Sequence, residues 1–304
     1  MQRDVIVIGA GPAGLAAAAY TLQQRLPTLM IAPDLGGRAR FRLRLPWVPE
    51  RQTMFGEQLV EQLHDQIFTA PQIRRHLDIV EQVFVRNDRF HVLTREGDVF
   101  QASAVIVASG VTARSLGVPG ERRLMGCGVT YSATSHAPLF VERRVIVVGS
   151  DRRALQAVAQ LSALARHVIL VVPDTTDVGS SPLGRRLLTD ARVTVLPHHT
   201  LVEILGESVV SGVMVMAPDG QSQSVQADGV FIEMGLTADT DFVGTLVDRA
   251  PNGQIKVDQR CATRAPGLFA AGDVTNTGHT EQILIALGEG AKAGLSACAY
   301  VLEQ

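Results

Sequence analysis

Among its 304 residues the chain has only three cysteines, three tyrosines and one tryptophan. Cys127, Cys261 and Cys298 are far apart, with neither C-x-x-C nor metal-ligand spacing among them, so no paired redox dithiol and no cysteine-bound metal is expected. They read as isolated reduced thiols, with Cys127, a few residues before Ser132, the one candidate for an exposed reactive group. Long hydrophobic runs are missing as well. Val105 to Ala108 and Val168 to Val172 have strand length, against about 20 residues for a membrane span. Nor does either sign of charge dominate: 28 basic against 30 acidic residues leave a formal net charge of -2, which gives no pull toward nucleic acid or an anionic membrane. Low-complexity segments are absent, and the opening M-Q-R-D-V-I-V-I-G leads straight into a strand and a turn. No leader and a cytoplasmic location are therefore expected. What is present is length and apolar content, 46% hydrophobic residues, enough for one large or two medium domains.

Asp4 to Ile8 is an apolar run of strand length, followed by Gly9-Ala-Gly11-Pro12-Ala13-Gly14 and an alanine-rich helical stretch, Leu15 to Leu22. A strand, then G-x-G-x-x-G, then a helix is the context of a dinucleotide site. Gly9 makes the tight turn, Gly11 admits a pyrophosphate, Gly14 lets the helix pack on the strand, and the helix N-terminus faces the phosphate charge. A second copy begins at Val145 to Val148, with Gly149-Ser-Asp151-Arg152-Arg153-Ala154 as the turn and Leu155 to Leu164 as the helix. Here the middle glycine is Asp151. A carboxylate about 5 Å from a phosphate costs on the order of 3 kcal/mol at an effective dielectric near 20. Arg152 and Arg153 offset part of that, and the expectation is a retained fold whose nucleotide site is degraded.

Late in the chain Pro266-Gly-Leu-Phe-Ala-Ala-Gly272-Asp273 precedes Glu281-Gln282-Ile283-Leu-Ile-Ala-Leu-Gly-Glu-Gly-Ala-Lys-Ala-Gly294. With G-x-G-P-A-G at the start and V-A-S-G, ending at Gly110, in the middle, the whole chain resembles the two-dinucleotide-domain flavoproteins. Within that group it is similar to low-molecular-weight thioredoxin reductases and the flavoprotein of alkyl hydroperoxide reductase. The resemblance implies an α/β fold of two Rossmann-like, three-layer ββα domains. Residues 1–114 and 237–304 would form a discontinuous FAD-binding domain, and 117–235 a degenerate NAD(P)H-binding-like insertion. It also implies that Asp273 binds the ribityl chain of FAD and that Gln282 and Ile283, opening a helix, face the flavin pyrimidine edge. Gly36-Gly37-Arg38 resembles the family's G-G-Q at the adenosine side, and Asp34 offers a ribose carboxylate.

Three departures stand out. The family's redox-active C-A-T-C, followed by an acid, falls on Ser132-Ala-Thr-Ser135 followed by His136, and hydroxyls have no disulfide couple, so disulfide reduction through these positions is excluded. His136 is either a solvated loop residue or an acid/base group for another substrate. Where the family holds the NADPH 2'-phosphate with arginines, this chain reads Val172-Pro-Asp174-Thr-Thr-Asp-Val178, with no arginine and with Asp174 suited to an NADH ribose. Where relatives have Asn-Trp-Pro on the flavin, it reads Leu45-Pro-Trp47-Val-Pro49, and Trp47 either covers the flavin or packs in the core. Just before it, Arg38, Arg40, Arg42 and Arg44 alternate. In an extended segment they would share one side, as a solvated edge or as a docking strip for an acidic electron donor of ferredoxin or flavodoxin type, or for an anionic small molecule. The expectation is an FAD-binding oxidoreductase without dithiol chemistry, with His136 and Trp47 as candidate catalytic residues and no metal. The alternatives are a regulatory flavoprotein that docks a partner, and an NADH-dependent reductase with a non-disulfide acceptor. A homodimer is implied by the resemblance alone.

Overall fold

The β-branched run behind the first glycine turn is buried from Val5 to Ile8, as expected of a parallel strand covered on both faces. It lies in β1 (Gln2–Ile8), which is followed by α1 (Pro12–Gln23), β2 (Thr28–Ile31), a 3-10 turn at Gly37–Arg40, α2 (Glu57–Thr69), β3 (Ile73–His76), β4 (Val80–Arg86), β5 (Arg89–Thr94) and β6 (Val99–Val107). This computed structural model describes residues 2–48, 57–277 and 281–304. The chain divides into two units. Unit 1 comprises Met1–Phe41, Thr53–Thr112 and Thr237–Gln304, and unit 2 comprises Arg42–Gln52 and Ala113–Leu236.

In unit 1 the strands run β3-β2-β1-β6 in parallel, with Val7 opposite both Met30 and Ile106, and β5 and β4 continue the sheet antiparallel. The chain leaves through β7 (Thr112–Ala113). Unit 2 then supplies β8 (Val129–Thr130), α3 (Ala133–His136), β9 (Arg144–Val148), α4 (Arg152–Ser162), β10 (His167–Val172), α5 (Pro182–Leu188), β11 (Val193–Pro197), β12 (Thr200–Leu205), β13 (Gly212–Met216), β14 (Ser222–Gln226) and β15 (Gly229–Ile232). Its parallel sheet has the order β11-β10-β9-β15-β8, and β12-β13-β14 form a separate antiparallel sheet. The chain returns through β16 (Leu236–Thr237), which pairs with β7, and ends with β17 (Leu268–Ala270), parallel to β6, and α6 (Ile283–Leu302).

Helix α6 packs on α1 through residues without side chains in the way. A Cβ at Gly290 would lie 2.0 Å from the Ala13 carbonyl oxygen, and one at Gly294 2.8 Å from that of Ala17. Both units thus carry the α/β architecture of a parallel sheet opened by a strand, glycine turn and helix. One assignment differs from the sequence reading. Arg42–Gln52 groups with unit 2, because Leu45 is buried in that unit's core and Trp47 and Val48 pack against it. Among the described residues no helix is long and apolar enough to cross a membrane.

Candidate functional site

At the first glycine turn each glycine has a distinct steric reason. Gly9 takes φ +108°, and its N–H donates to Ile31 O at 2.8 Å. A Cβ at Gly14 would sit 2.0 Å from the Gly9 carbonyl oxygen, so only glycine lets α1 come this close to the turn. At Gly11, the N-cap of α1, a Cβ would meet nothing within 4 Å. Pro12 occupies the first helical position, where no backbone donor is lost. An unobstructed backbone at a helix N-terminus is what a pyrophosphate requires.

The other sequence-predicted positions in unit 1 gather round this turn. The Gly36 N–H donates to Ala10 O at 2.8 Å, and Gly37 takes φ +52° with its Cβ position 3.3 Å from Gly11 Cα. Asp34 is exposed in the loop after β2, and Gly110, at φ +71°, follows the end of β6. Ala13 comes against Gly272, whose Cβ position is 2.9 Å from Ala13 Cβ. Gly272 N–H donates to Glu289 Oε2 at 2.8 Å, and Asp273 O accepts from Gln254 Nε2 at 2.9 Å. Gln282 is the N-cap of α6 and Ile283 its first residue. The Gln282 amide nitrogen is buried without a hydrogen-bond partner among the described residues. A buried orphan donor costs about 1–3 kcal/mol, and a carbonyl of a bound flavin would satisfy it. The open turn at Gly11 and this donor together fit FAD.

Two carboxylates not singled out from sequence, Glu281 and Glu289, complete the arrangement around Arg38 and Asp273. Arg38 pairs with Asp273 at 3.5 Å and also with Glu281. Glu289 gathers Gly272 N–H and the Thr277 hydroxyl, the latter at 3.0 Å, and so ties the Gly-Asp turn to α6. The sequence offered only the acidic character of Glu281 and Glu289 within an otherwise apolar helical stretch.

The arginine strip is a correction. Arg38 and Arg40 lie in the 3-10 turn, not in an extended segment, so period-two alternation does not hold. Arg40 Nη1 donates to Leu35 O at 3.1 Å, and Arg38 is engaged by carboxylates. The left-handed Gly36 and Gly37 curl the chain just where the alternation would begin.

In unit 2, Ser132 caps α3, its Oγ accepting from Ser135 N at 3.4 Å and lying 3.3 Å from Ser135 Oγ. His136 is a second correction. It is not a solvated loop residue but is 5% exposed in α3, with Nδ1 2.7 Å from Thr130 Oγ1. Buried Glu233 accepts from Ala133 N at 2.8 Å and pairs with Arg153, whose Nη2 donates to Tyr131 O at 3.1 Å. Arg153, one of the two arginines expected to offset Asp151, is thus paired with Glu233. Asp151 itself caps α4, accepting from Ala154 N at 3.0 Å, so its carboxylate occupies the helix N-terminus. The Ser150 hydroxyl, 2.5 Å from Asp174, followed by Thr176, holds the Asp174 carboxyl below the usual range.

Trp47 donates from Nε1 to Leu139 O at 2.9 Å, packs edge-on to Phe140 at 6.0 Å and carries Arg143 over its face at 4.3 Å. Of the two roles open to it, packing is the one these contacts describe. Pro49, of the same stretch, lies outside the described residues. Burial pushes the Cys261 and Cys298 thiols up to about 11, which leaves them unreactive at neutral pH. Among the described residues no group of three or more His, Cys, Asp or Glu could hold a metal.

Comparison with known proteins agrees with this geometry. Residues 3–290 match the family described as pyridine nucleotide-disulphide oxidoreductase. The chain is 30% identical over 301 residues to the NADH dehydrogenase of Bacillus subtilis (strain 168), covering 99% of this chain and 59% of that protein. It is 30% identical over 312 residues to an alkyl hydroperoxide reductase subunit, that of Pseudomonas aeruginosa, covering 99% and 58%. The chain thus spans less than two thirds of the length of these curated relatives. Among solved structures, thioredoxin reductase from Streptococcus pyogenes MGAS5005 superposes with a TM-score of 0.89 at 28% identity, covering 100% of this chain and 99% of that one. The chain belongs to the pyridine nucleotide-disulphide oxidoreductase family, and it is a thioredoxin reductase-like flavoprotein with FAD as its cofactor.

Proposed function

We propose that this chain is an FAD-dependent oxidoreductase that is not a disulfide reductase, its flavin exchanging electrons with a small substrate or a protein donor. The observation that carries the reading is the hydroxyl pair Ser132 and Ser135, 3.3 Å apart at the start of α3, where the resemblance places a redox dithiol. Serine is among the preferred helix caps, so the position keeps its structural task without its redox one.

On this reading unit 1 holds FAD. The α1 N-terminus with Gly9, Gly11, Pro12, Ala13 and Gly14 receives the pyrophosphate, and Asp34 takes the adenosine ribose. Gly37 and Gly110 keep the backbone open, the Gly272-Asp273 turn takes the ribityl hydroxyls, and Gln282 and Ile283 face the pyrimidine edge. Bound FAD supplies one- and two-electron transfer. Backbone N–H groups at the start of α6 stabilise negative charge at that edge. His136, with its Nδ1 fixed by Thr130, is the candidate acid/base group. Unit 2 is a nucleotide-binding fold in which Asp151 stands where a pyrophosphate would. The electron donor assigned to it is an acidic protein of ferredoxin or flavodoxin type or an anionic small molecule, and the chain works as a homodimer.

A second reading, an NADH-dependent reductase with a non-disulfide acceptor, is favoured by one observation. The Asp174 carboxylate, kept ionised by Ser150 and Thr176, suits a ribose diol, and one relative is named NADH dehydrogenase. Anaerobic visible spectra of the purified holoprotein separate the two. Flavin that stays oxidised with NADH and NADPH but bleaches with a reduced acidic donor supports the first reading. Bleaching by NADH replaces it with the second.

A further inference from the structure

We propose that Arg38 is an electrostatic clamp of the flavin cradle, neutralising Glu281 and Asp273 together so that an anionic FAD can enter beside them. This rests on the assignment of FAD to unit 1 and adds to it a positioning role for Arg38, with Glu281 as its anchor.

Placement carries the first half of the argument. The loop after β2 is pinned to the glycine turn by the hydrogen bond from Gly36 to Ala10, and Gly37 comes within van der Waals reach of Gly11. Arg38 therefore leaves the backbone next to the N-terminus of α1. Its guanidinium extends across to the C-terminal segment and meets two carboxylates, Asp273 and Glu281, whose side chains are 22% and 11% exposed. Arginine joins the two halves of the cradle, which are separated by 235 and 243 positions in sequence.

Charge carries the second half. Asp273 and Glu281 are partly desolvated, Glu289 sets a third carboxylate at the same turn, and the pyrophosphate of FAD brings two more negative charges. Removing Arg38 makes this cleft one unit more negative, and partial burial weakens the solvent screening that would moderate the repulsion. A planar guanidinium can serve two carboxylates at once and stays charged at every relevant pH. Glu281 is held independently of the cofactor. It precedes the N-cap of α6, where a carboxylate is favoured by the helix dipole. Glu281 thus fixes the Arg38 side chain, while Asp273 remains next to the ribityl position.

A double-mutant cycle on FAD affinity tests the clamp. Apoprotein is titrated with FAD, and binding is followed by quenching of flavin fluorescence. Arg38→Gln is expected to raise Kd by about tenfold, a size typical of coupled neighbours. Glu281→Gln alone changes it by less than about threefold, and the double variant regains most of the loss, because the carboxylate that Arg38 neutralises is then gone as well. Additive effects, with the double variant as weak as Arg38→Gln, would overturn the clamp and make Arg38 a direct cofactor contact. Arg38→Gln with unchanged Kd would also overturn it. If circular dichroism shows that Arg38→Gln does not fold, the same cycle is run with Arg38→Met, which removes the charge but keeps an unbranched apolar stem, and the same outcomes apply. Wild-type protein that fails to bind FAD would sink the cradle assignment itself. Wild-type binding with an additive cycle would sink the clamp alone.

Discussion

Single residues decide what unit 2 can bind. Asp151 satisfies an N–H of its own helix with the carboxylate that would repel a diphosphate. On the proposed function, the local gain and the loss of a diphosphate site share one side chain. Replacing an aspartate cap by glycine costs only a few tenths of a kcal/mol, so Asp151→Gly should fold. It is expected to bind NADH at least about tenfold more tightly, equivalent to about 1.4 kcal/mol. Calorimetric titration checks this, and an unchanged Kd would show that the carboxylate is not the obstacle. At this scale the glycines were legible in sequence because their reasons are local: a positive φ at Gly9, a carbonyl against Gly14. The partners of Arg38 were not, since no spacing rule links it to Glu281. Of the two readings of His136, the solvated one failed for a related cause. Its burial in α3 and its contact with the Thr130 hydroxyl are not visible in a stretch rich in small polar residues.

Elements are held in register by buried polar anchors as well as by apolar faces. Asp78, 8% exposed between β3 and β4, accepts from Ile79 N at 2.7 Å and Glu96 N at 3.0 Å, so it joins the turn before β4 to the one between β5 and β6. The neighbouring Thr94 hydroxyl first, then the Glu96 N–H, hold its carboxyl below the usual range. A carboxylate with a lowered native pKa contributes stability that is present above the ordinary aspartate value, about 3.9, and is lost as pH falls through the lowered one. Urea unfolding at neutral pH should therefore show Asp78→Asn less stable than wild type, and the gap should close as the medium is taken below about pH 4. A gap independent of pH would mean that the anchor is not acting as a carboxylate. The strands and helices around both glycine turns could be read from their apolar runs. The segment from Arg42 to Trp47 could not, because its alternating arginines imitate a strand while the burial of Leu45 and Trp47 assigns it to the other unit.

At the scale of the whole molecule, the main segment of unit 2, Ala113–Leu236, is an insertion at whose entry and exit β7 and β16 pair with each other. Neighbouring strands lie about 4.8 Å apart, so a short turn joining Thr112 to Thr237 should close unit 1 upon itself. A chain lacking Ala113–Leu236, with Leu45 and Trp47 changed to serine to remove their stranded apolar surface, is expected to fold and to bind FAD stoichiometrically. Spectra and gel filtration test this, and an aggregated or colourless product would show that unit 1 depends on its insertion. The same topology sets a timetable for synthesis. The alanine face of α1 is complete early, yet α6, whose Gly290 and Gly294 lie against it, cannot be made until the insertion Ala113–Leu236 has been translated. From Gln23, the end of α1, to Gly294 the chain runs 271 residues, at about 5–20 residues per second a wait of roughly 14–54 s. For that interval the nascent N-terminal half stands with its helix unroofed, a half-domain that the ribosome's attendant chaperones would meet before the flavin does.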